Sequence, residues 1–419
     1  MQKKAGIRIY LSAILLALVA GAVGIGVSKL SAQLAPSPDP VPLVIILARL
    51  DKGDMAGAER LMSDNLPVMK RRLEETLAGF DQKFDDLGRS GATAGHDVHT
   101  EILQQFIDEV THYEKLFDVY RRLTNDETLY KRAEARRLRF EGAYYTHYGE
   151  DICGEALNWE EAQRRYHISL DRLEAAFALA KEVNDVRLMA SIKNNVGSTF
   201  VRLVEPDKAV QAYQEGMRYA SQLPGEMYKG LVNLNMGNAY VWIGDPDKSL
   251  GYSQAALASF KKMGRETWQA NALMTIGNAY MRQNKFSDAW ETIRVALEMA
   301  KQSGEDRIRG RALLNLGMVA IRLKKPEGLS LIKEGLDWYE KEGFDVYTTI
   351  EKEAVRQDGL RMLSQLERDS GNEAAAEQYD KEYIQSLGPD PDRYKTLRES
   401  PCFAIYKAQP KGRLTAVRQ

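Results

Sequence analysis

Asn195-Val-Gly-Ser-Thr-Phe200, Asn235-Met-Gly-Asn-Ala-Tyr240, Thr275-Ile-Gly-Asn-Ala-Tyr280 and Asn315-Leu-Gly-Met-Val-Ala320 are four versions of one pattern, set forty residues apart by Gly197, Gly237, Gly277 and Gly317. Each is followed by a second helical stretch, in which Ala209, Ser249 and Ala289 stand twelve residues after the glycine and Gly216, Ala256 and Ala296 seven beyond that. A small residue on one helix lets a second helix approach closely, and the aromatic three residues later fills the wedge between them. A hairpin of this kind leaves an apolar face that only a neighbouring hairpin covers, so the period predicts a stack of helical pairs. In the fourth repeat Gly328 and Gly335 match these small positions only if the loop around Lys324-Lys-Pro-Glu327 is one residue shorter.

This pattern resembles the tetratricopeptide repeat family, with a period of 40 in place of the usual 34. The expected fold class is all-α: an α-solenoid of tetratricopeptide-like hairpins preceded by a transmembrane helix. The resemblance implies that first helices line a concave surface and that the surface binds proteins or peptides. On that surface it places Asn194, Asn195, Ser198, Arg202, Asn235, Asn238, Trp242, Asn278, Arg282, Asn315 and Arg322. Asn both donates to and accepts from a peptide backbone, and Arg pairs bidentately with carboxylates, so such a groove suits an extended peptide or a helix of acidic character. The family's carboxylate clamp needs Lys three residues before the glycine. Asn194, Leu234, Met274 and Leu314 stand there instead, so that specificity is not expected. Each arginine also falls near a helix C-terminus, where its charge supports the helix dipole.

The 419 residues are 44% hydrophobic and 28% charged with a net charge of -1, enough for a sizeable core and against a globally basic nucleic-acid binder. Lys3, Lys4 and Arg8 precede an uncharged apolar run from Ile9 to Ser28. Twenty residues of helix span roughly 30 Å, the thickness of a bilayer core. Residues 1–30 are therefore expected to be a cytoplasmic stub and a single-pass signal anchor of the inner membrane, with the solenoid on the periplasmic or extracytoplasmic side. Residues 31–42 read as a proline-rich linker, 43–185 as an N-terminal helical region of degenerate repeats, and 186–345 as the four repeats. A capping hairpin is expected over 346–388 and a basic tail over 389–419.

Within the N-terminal region, helices are expected over 43–50 and 55–65 with Ala58 facing inward, then over two long amphipathic stretches either side of a flexible Gly88–Gly95 loop. A further pair, 130–148 and 158–181, carries Gly149–Ala156 as an insertion. Cys153 and Cys402 are the chain's two cysteines and are able to pair in an oxidising compartment. His96 and His99 share a helix start, but a zinc site would need further ligands beside them. No nucleophile elbow, metalloprotease motif or phosphate-binding loop occurs, and no cofactor, metal or catalytic group is expected. The functional expectation is a membrane-anchored, non-enzymatic scaffold that organises protein or peptide partners of the cell envelope. The alternatives are a permanent subunit of a larger membrane complex and, behind it, a metal-dependent enzyme using His96 and His99.

Overall fold

The computed structural model describes residues 42–90, 96–156, 158–304, 306–341, 349–386 and 401, and every element among them is a helix. The apolar run from Ile9 to Ser28, the linker up to Val41, and the basic tail apart from Pro401 lie outside the described residues. No helix among the described residues is long and apolar enough to cross a membrane. The chain divides into two compact units, Met1–Met69 and Lys70–Gln419.

In the first unit, α1 (Leu43–Asp51) and α2 (Met55–Asp64) pair across the turn expected at Lys52–Asp54. Asp54 caps α2 by accepting from the Gly57 amide at 2.9 Å, which satisfies one of the free donors of the first turn. Ile46, Leu47, Ala58 and Met62 are buried, and Ala58 faces inward as its spacing predicted. The unit ends inside α3 (Leu66–Ser90), which the second unit continues.

In the second unit α3 is followed by α4 (His96–Thr124), α5 (Thr128–Ala156) and α6 (Trp159–Glu182). The Gly88–Gly95 loop is shorter than expected, because α3 runs through Gly88 to Ser90; residues 91–95 lie outside the described residues. The insertion expected at Gly149–Ala156 is helical instead. Gly149 packs directly beneath the Tyr166 ring, where a Cβ would stand 2.5 Å from Cε1, so this glycine permits helix contact and does not break the helix. Gly142, on the same helix, does the same for Leu173. Cys153, also on α5, is buried and disulfide-bonded; the other cysteine, Cys402, lies outside the described residues.

The four repeats form the pairs α7 (Val186–Arg202) with α8 (Pro206–Ala220), α9 (Met227–Ile243) with α10 (Pro246–Lys262), α11 (Glu266–Arg282) with α12 (Phe286–Ser303), and α13 (Asp306–Arg322) with α14 (Gly328–Lys341). Local signals set the boundaries. Asp185 and Asp245 cap α7 and α10 through the amides of Leu188 and Lys248, and Pro206 and Pro246 open α8 and α10, where a missing N–H costs nothing. Each hairpin turns through one left-handed residue, and that position recurs every forty residues at Val204, Gly244, Asn284 and Lys324.

The glycine column acts as a close-approach point. A Cβ on Gly197 would lie 2.4 Å from the Tyr213 ring, on Gly237 2.2 Å from Ser253 Oγ, on Gly277 2.3 Å from Ile293 Cγ1, and on Gly317 2.4 Å from Ile332 Cγ1. The opposing residue lies sixteen positions on in three repeats and fifteen in the fourth, which carries the shorter loop expected from Gly328 and Gly335. Ala209, Ser249, Ala289, Ala256 and Ala296 are fully buried. Protein interiors pack at crystal-like density, so a column of small residues determines how near the helices lie. A last pair, α15 (Thr349–Asp369) and α16 (Glu373–Ser386), turns at Gly371 and packs Leu363 and Leu366 with Ile332 and Leu336 of α14.

Candidate functional site

First helices touch first helices along the array: α5 meets α7, α7 meets α9, α9 meets α11, and α11 meets α13. Second helices touch their own partner and the next first helix. The first helices therefore make one continuous wall, and all eleven candidate side chains are carried by α7, α9, α11 and α13 within it.

The amide side chains are joined from repeat to repeat. Asn235 Nδ2 donates to Asn194 Oδ1 at 2.9 Å, Thr275 Oγ1 to Asn238 Oδ1 at 2.9 Å, and Asn315 Nδ2 to Asn278 Oδ1 at 2.8 Å. In the second, third and fourth repeats the residue two before the glycine is thus the donor, and it reaches back to the preceding repeat. Two of the three bonds end on the residue just after the glycine. The first ends one turn earlier, because the equivalent residue there is Ser198, whose short hydroxyl is already shared between the Asn194 carbonyl at 3.2 Å and the Tyr213 phenol at 3.3 Å. Burial pushes that phenol up to about 12, against the opposing effect of the Ser198 bond.

Each acceptor amide is engaged through its oxygen and keeps two N–H donors. Asn238 is exposed, Asn194 and Asn278 are half-buried, and Asn315 is buried. Asn195 has a buried Nδ2 with no hydrogen-bond partner among the described residues. The wall therefore presents a row of oriented amides, held by their neighbours and able to donate outward.

The arginine column does not join this row as a set. Arg202 pairs with the buried Glu150 of α5, which fixes it as a cross-strut between first helices. Arg322 is exposed and lies 5.9 Å from the centre of the Phe286 ring on α12. Arg282 is half-buried, and burial holds its guanidinium below the usual value. All three are the final residues of their helices, where cationic side chains support the carbonyl end of the dipole. Trp242 occupies the equivalent turn of α9 and is half-buried.

A second polar cluster escaped the sequence reading. Asp81 of α3 accepts from Arg136 Nε at 3.1 Å and Nη2 at 2.7 Å, and from Arg139 Nη2 at 3.4 Å; Arg136 Nη2 also reaches Asp185 at 3.1 Å. Arg139 is 1% exposed and stacks 4.2 Å from the Phe84 ring. Burial pushes the Asp81 carboxyl up, but the charges of Arg136 and Arg139 and the bond from Arg136 outweigh it and hold the group below the usual carboxylate range. The only available signal was charge at positions of α5 that the helix turns inward, and no spacing rule links residues 55 positions apart.

A surface depression of about 680 Å³ runs along the N-terminal part of α6 at Asn158, Glu161, Arg164 and His167. A single helix face cannot enclose a ligand, and Glu161 there is already held by Arg164 and Arg165. No group of three or more metal-binding side chains is assembled among the described residues. His96 opens α4, as the sequence suggested.

No protein-family model matches the chain, and no curated protein matches it. Among solved structures, it is similar to a signal transduction ATPase with numerous domains from Pyrococcus horikoshii that carries a tetratricopeptide repeat sensor. The identity is 14%, over 87% of this chain and 52% of that one, with a TM-score of 0.53. The apo quorum sensor NprR of B. thuringiensis aligns at 16% identity over 84% of this chain and all of its own (100%), with a TM-score of 0.46. Aspartyl phosphate phosphatase F of Bacillus subtilis aligns at 13% over 87% and 90%, also at 0.46. The fold is thus a tetratricopeptide-like helical repeat, as the glycine period indicated.

Proposed function

We propose that the chain is a non-enzymatic, membrane-anchored scaffold whose first-helix wall binds an extended segment of a partner protein of the cell envelope. The observation that carries this reading is the amide row. Asn194, Asn238 and Asn278 are each fixed through the oxygen by the next repeat, which orients their remaining N–H donors without using them. Side chains held in advance lose little freedom on binding, and an extended backbone offers carbonyl acceptors at regular intervals. Tethering is read from the apolar run Ile9–Ser28, with its basic flank inside, and from the proline-rich spacer that follows. Confinement at a membrane raises local concentration, so modest contacts suffice.

Crosslinking with mass spectrometry in native membranes tests this directly, comparing wild type with the Asn238→Ala/Asn278→Ala double variant. Crosslinks from α7–α13 to an envelope protein should appear in wild type and fall at least several-fold in the variant at equal helicity. Crosslinks confined to second helices, or unchanged by the double substitution, would defeat the groove reading.

A further inference from the structure

Stacked repeats touch only their neighbours. The contact of α15 with α5 departs from that rule, because the four repeats from α7 to α14 lie between these two helices in the chain. The wall of first helices runs from α5 to α13, and α15 is the first helix of the pair that follows. The wall therefore bends round until the two ends of the array meet. A covalent link spans the same gap. Cys153, near the end of α5, is disulfide-bonded and 3% exposed, packed with Ala162 and Tyr166 of α6 and with Leu203 at the end of α7. The chain has one other cysteine, Cys402, which follows α16 in sequence. Within one chain the bond therefore joins α5 to Cys402. We propose that this disulfide is a redox-operated clasp, which holds the two ends of the array together and sets how a partner reaches the first-helix wall.

The argument is one of loop closure. Bringing α15 to α5 joins the ends of a long stretch of chain, and a cross-link removes part of that entropy from the open state. α15 is committed to its own end of the array: Leu363 and Leu366 pack with Ile332 and Leu336 of α14, and Ser364 Oγ donates to Asp380 of α16 at 2.6 Å. The last pair thus moves with α14 as one body, and its departure from α5 is opposed by one helix contact and by the disulfide. The reductant is a dithiol. One of its thiolates attacks a sulfur of the Cys153–Cys402 bond, and the sulfur released takes a proton. The second thiol of the reductant then closes its own disulfide and frees the other cysteine. Two electrons and two protons pass from the dithiol to the two cysteines. With its ends joined the wall is open only at its two rims, so an extended segment enters by a free end. With its ends apart, a segment also approaches Asn238 and Asn278 from the side.

The test uses no partner protein, so its outcome is separate from that of the scaffold reading. Arg164 of α6 and Ile384 of α16, both exposed, are each replaced by p-acetylphenylalanine and spin-labelled through its ketone. The distance between the labels is read by double electron–electron resonance in the full chain, purified under oxidising conditions. One narrow distribution is expected. Dithiothreitol should broaden it and lengthen its mean, Cys402→Ser should do the same without reductant, and reoxidation of the native cysteine pair should restore the narrow form. Cys402→Ser leaves the buried Cys153 in place, and the dithiothreitol arm gives the result with both cysteines present even if that variant does not fold. Helicity by circular dichroism should stay constant throughout. Peptide mapping without reduction should recover Cys153 and Cys402 in one linked species. A distribution unchanged by reduction, a broad one already present in the oxidised chain, or a Cys153 link between two chains would overturn the proposal. Broadening that comes with loss of helicity would also overturn it, since the bond would then be a general staple of the fold.

Discussion

Asn315 is only 5% exposed, yet it donates from Nδ2 to Asn278 Oδ1 at 2.8 Å, across the boundary between two repeats. Apolar packing alone would join these helices at any of several registers. A directional bond between two amides selects one.

Replacing Asn315 with Ala should cost about 1–2 kcal/mol, since the donor is lost from a buried position. A double-mutant cycle with Asn278→Ala, measured by urea unfolding, should give a coupling of about 0.5–1.5 kcal/mol. Strict additivity of the two substitutions would show that the bond contributes nothing.

Two glycine-to-alanine changes should have opposite signs. Gly277→Ala places a Cβ 2.3 Å from Ile293 Cγ1 and should destabilise by about 1–3 kcal/mol through overpacking. Around Gly251, within α10, no atom beyond the adjoining backbone of its own helix lies within 4 Å of the point a Cβ would occupy, so Gly251→Ala should stabilise by about 0.5–1 kcal/mol through helix propensity. Chemical denaturation of both variants checks the pair, and equal signs would contradict the close-approach role.

Val204 holds φ at 61°, a left-handed conformation that a β-branched side chain adopts with strain. The same turn uses Gly244 and Asn284 in the next two repeats. Val204→Asn should therefore raise stability by about 1 kcal/mol, read as a higher urea midpoint. A lower midpoint would mean that the valine packs more favourably than its backbone suffers.

Asp81 supplies a pH dependence. Its folded pKa lies below the ordinary 3.8, so its contribution is complete above about pH 4 and is lost as pH falls through the folded value. Asp81→Asn should cost about 3–5 kcal/mol at neutral pH, because Arg136 and Arg139 lose their buried counter-charge. It should also flatten the loss of stability below pH 4. A variant with an unchanged acid limb would place the acid sensitivity elsewhere.

The glycine column was legible because backbone contact at one point per repeat imposes a period that no other residue satisfies. The amide positions were legible for the same reason, but their partners were not. Asn235 reaches Asn194 while Thr275 reaches Asn238, and the choice depends on how far Ser198 extends. The column of Arg202 puts it in the groove; its pairing with Glu150 depends on the approach of α5, which the sequence does not encode locally. Gly149–Ala156 reads as an insertion between two helices, whereas Gly149 continues the helix because the Tyr166 ring occupies the space a side chain would need. Asp81 and Arg136 meet only after three helices have packed.

The four glycines face four different neighbours, Tyr213, Ser253, Ile293 and Ile332. Each joint is cut for its own tenant, so the repeats are not spare parts for one another. An unequal crossover that duplicated or deleted one unit would keep the period and still set a mismatched pair of surfaces together. The number of repeats is therefore far harder to change than the residues on the wall, which are free to vary on a frame of fixed length.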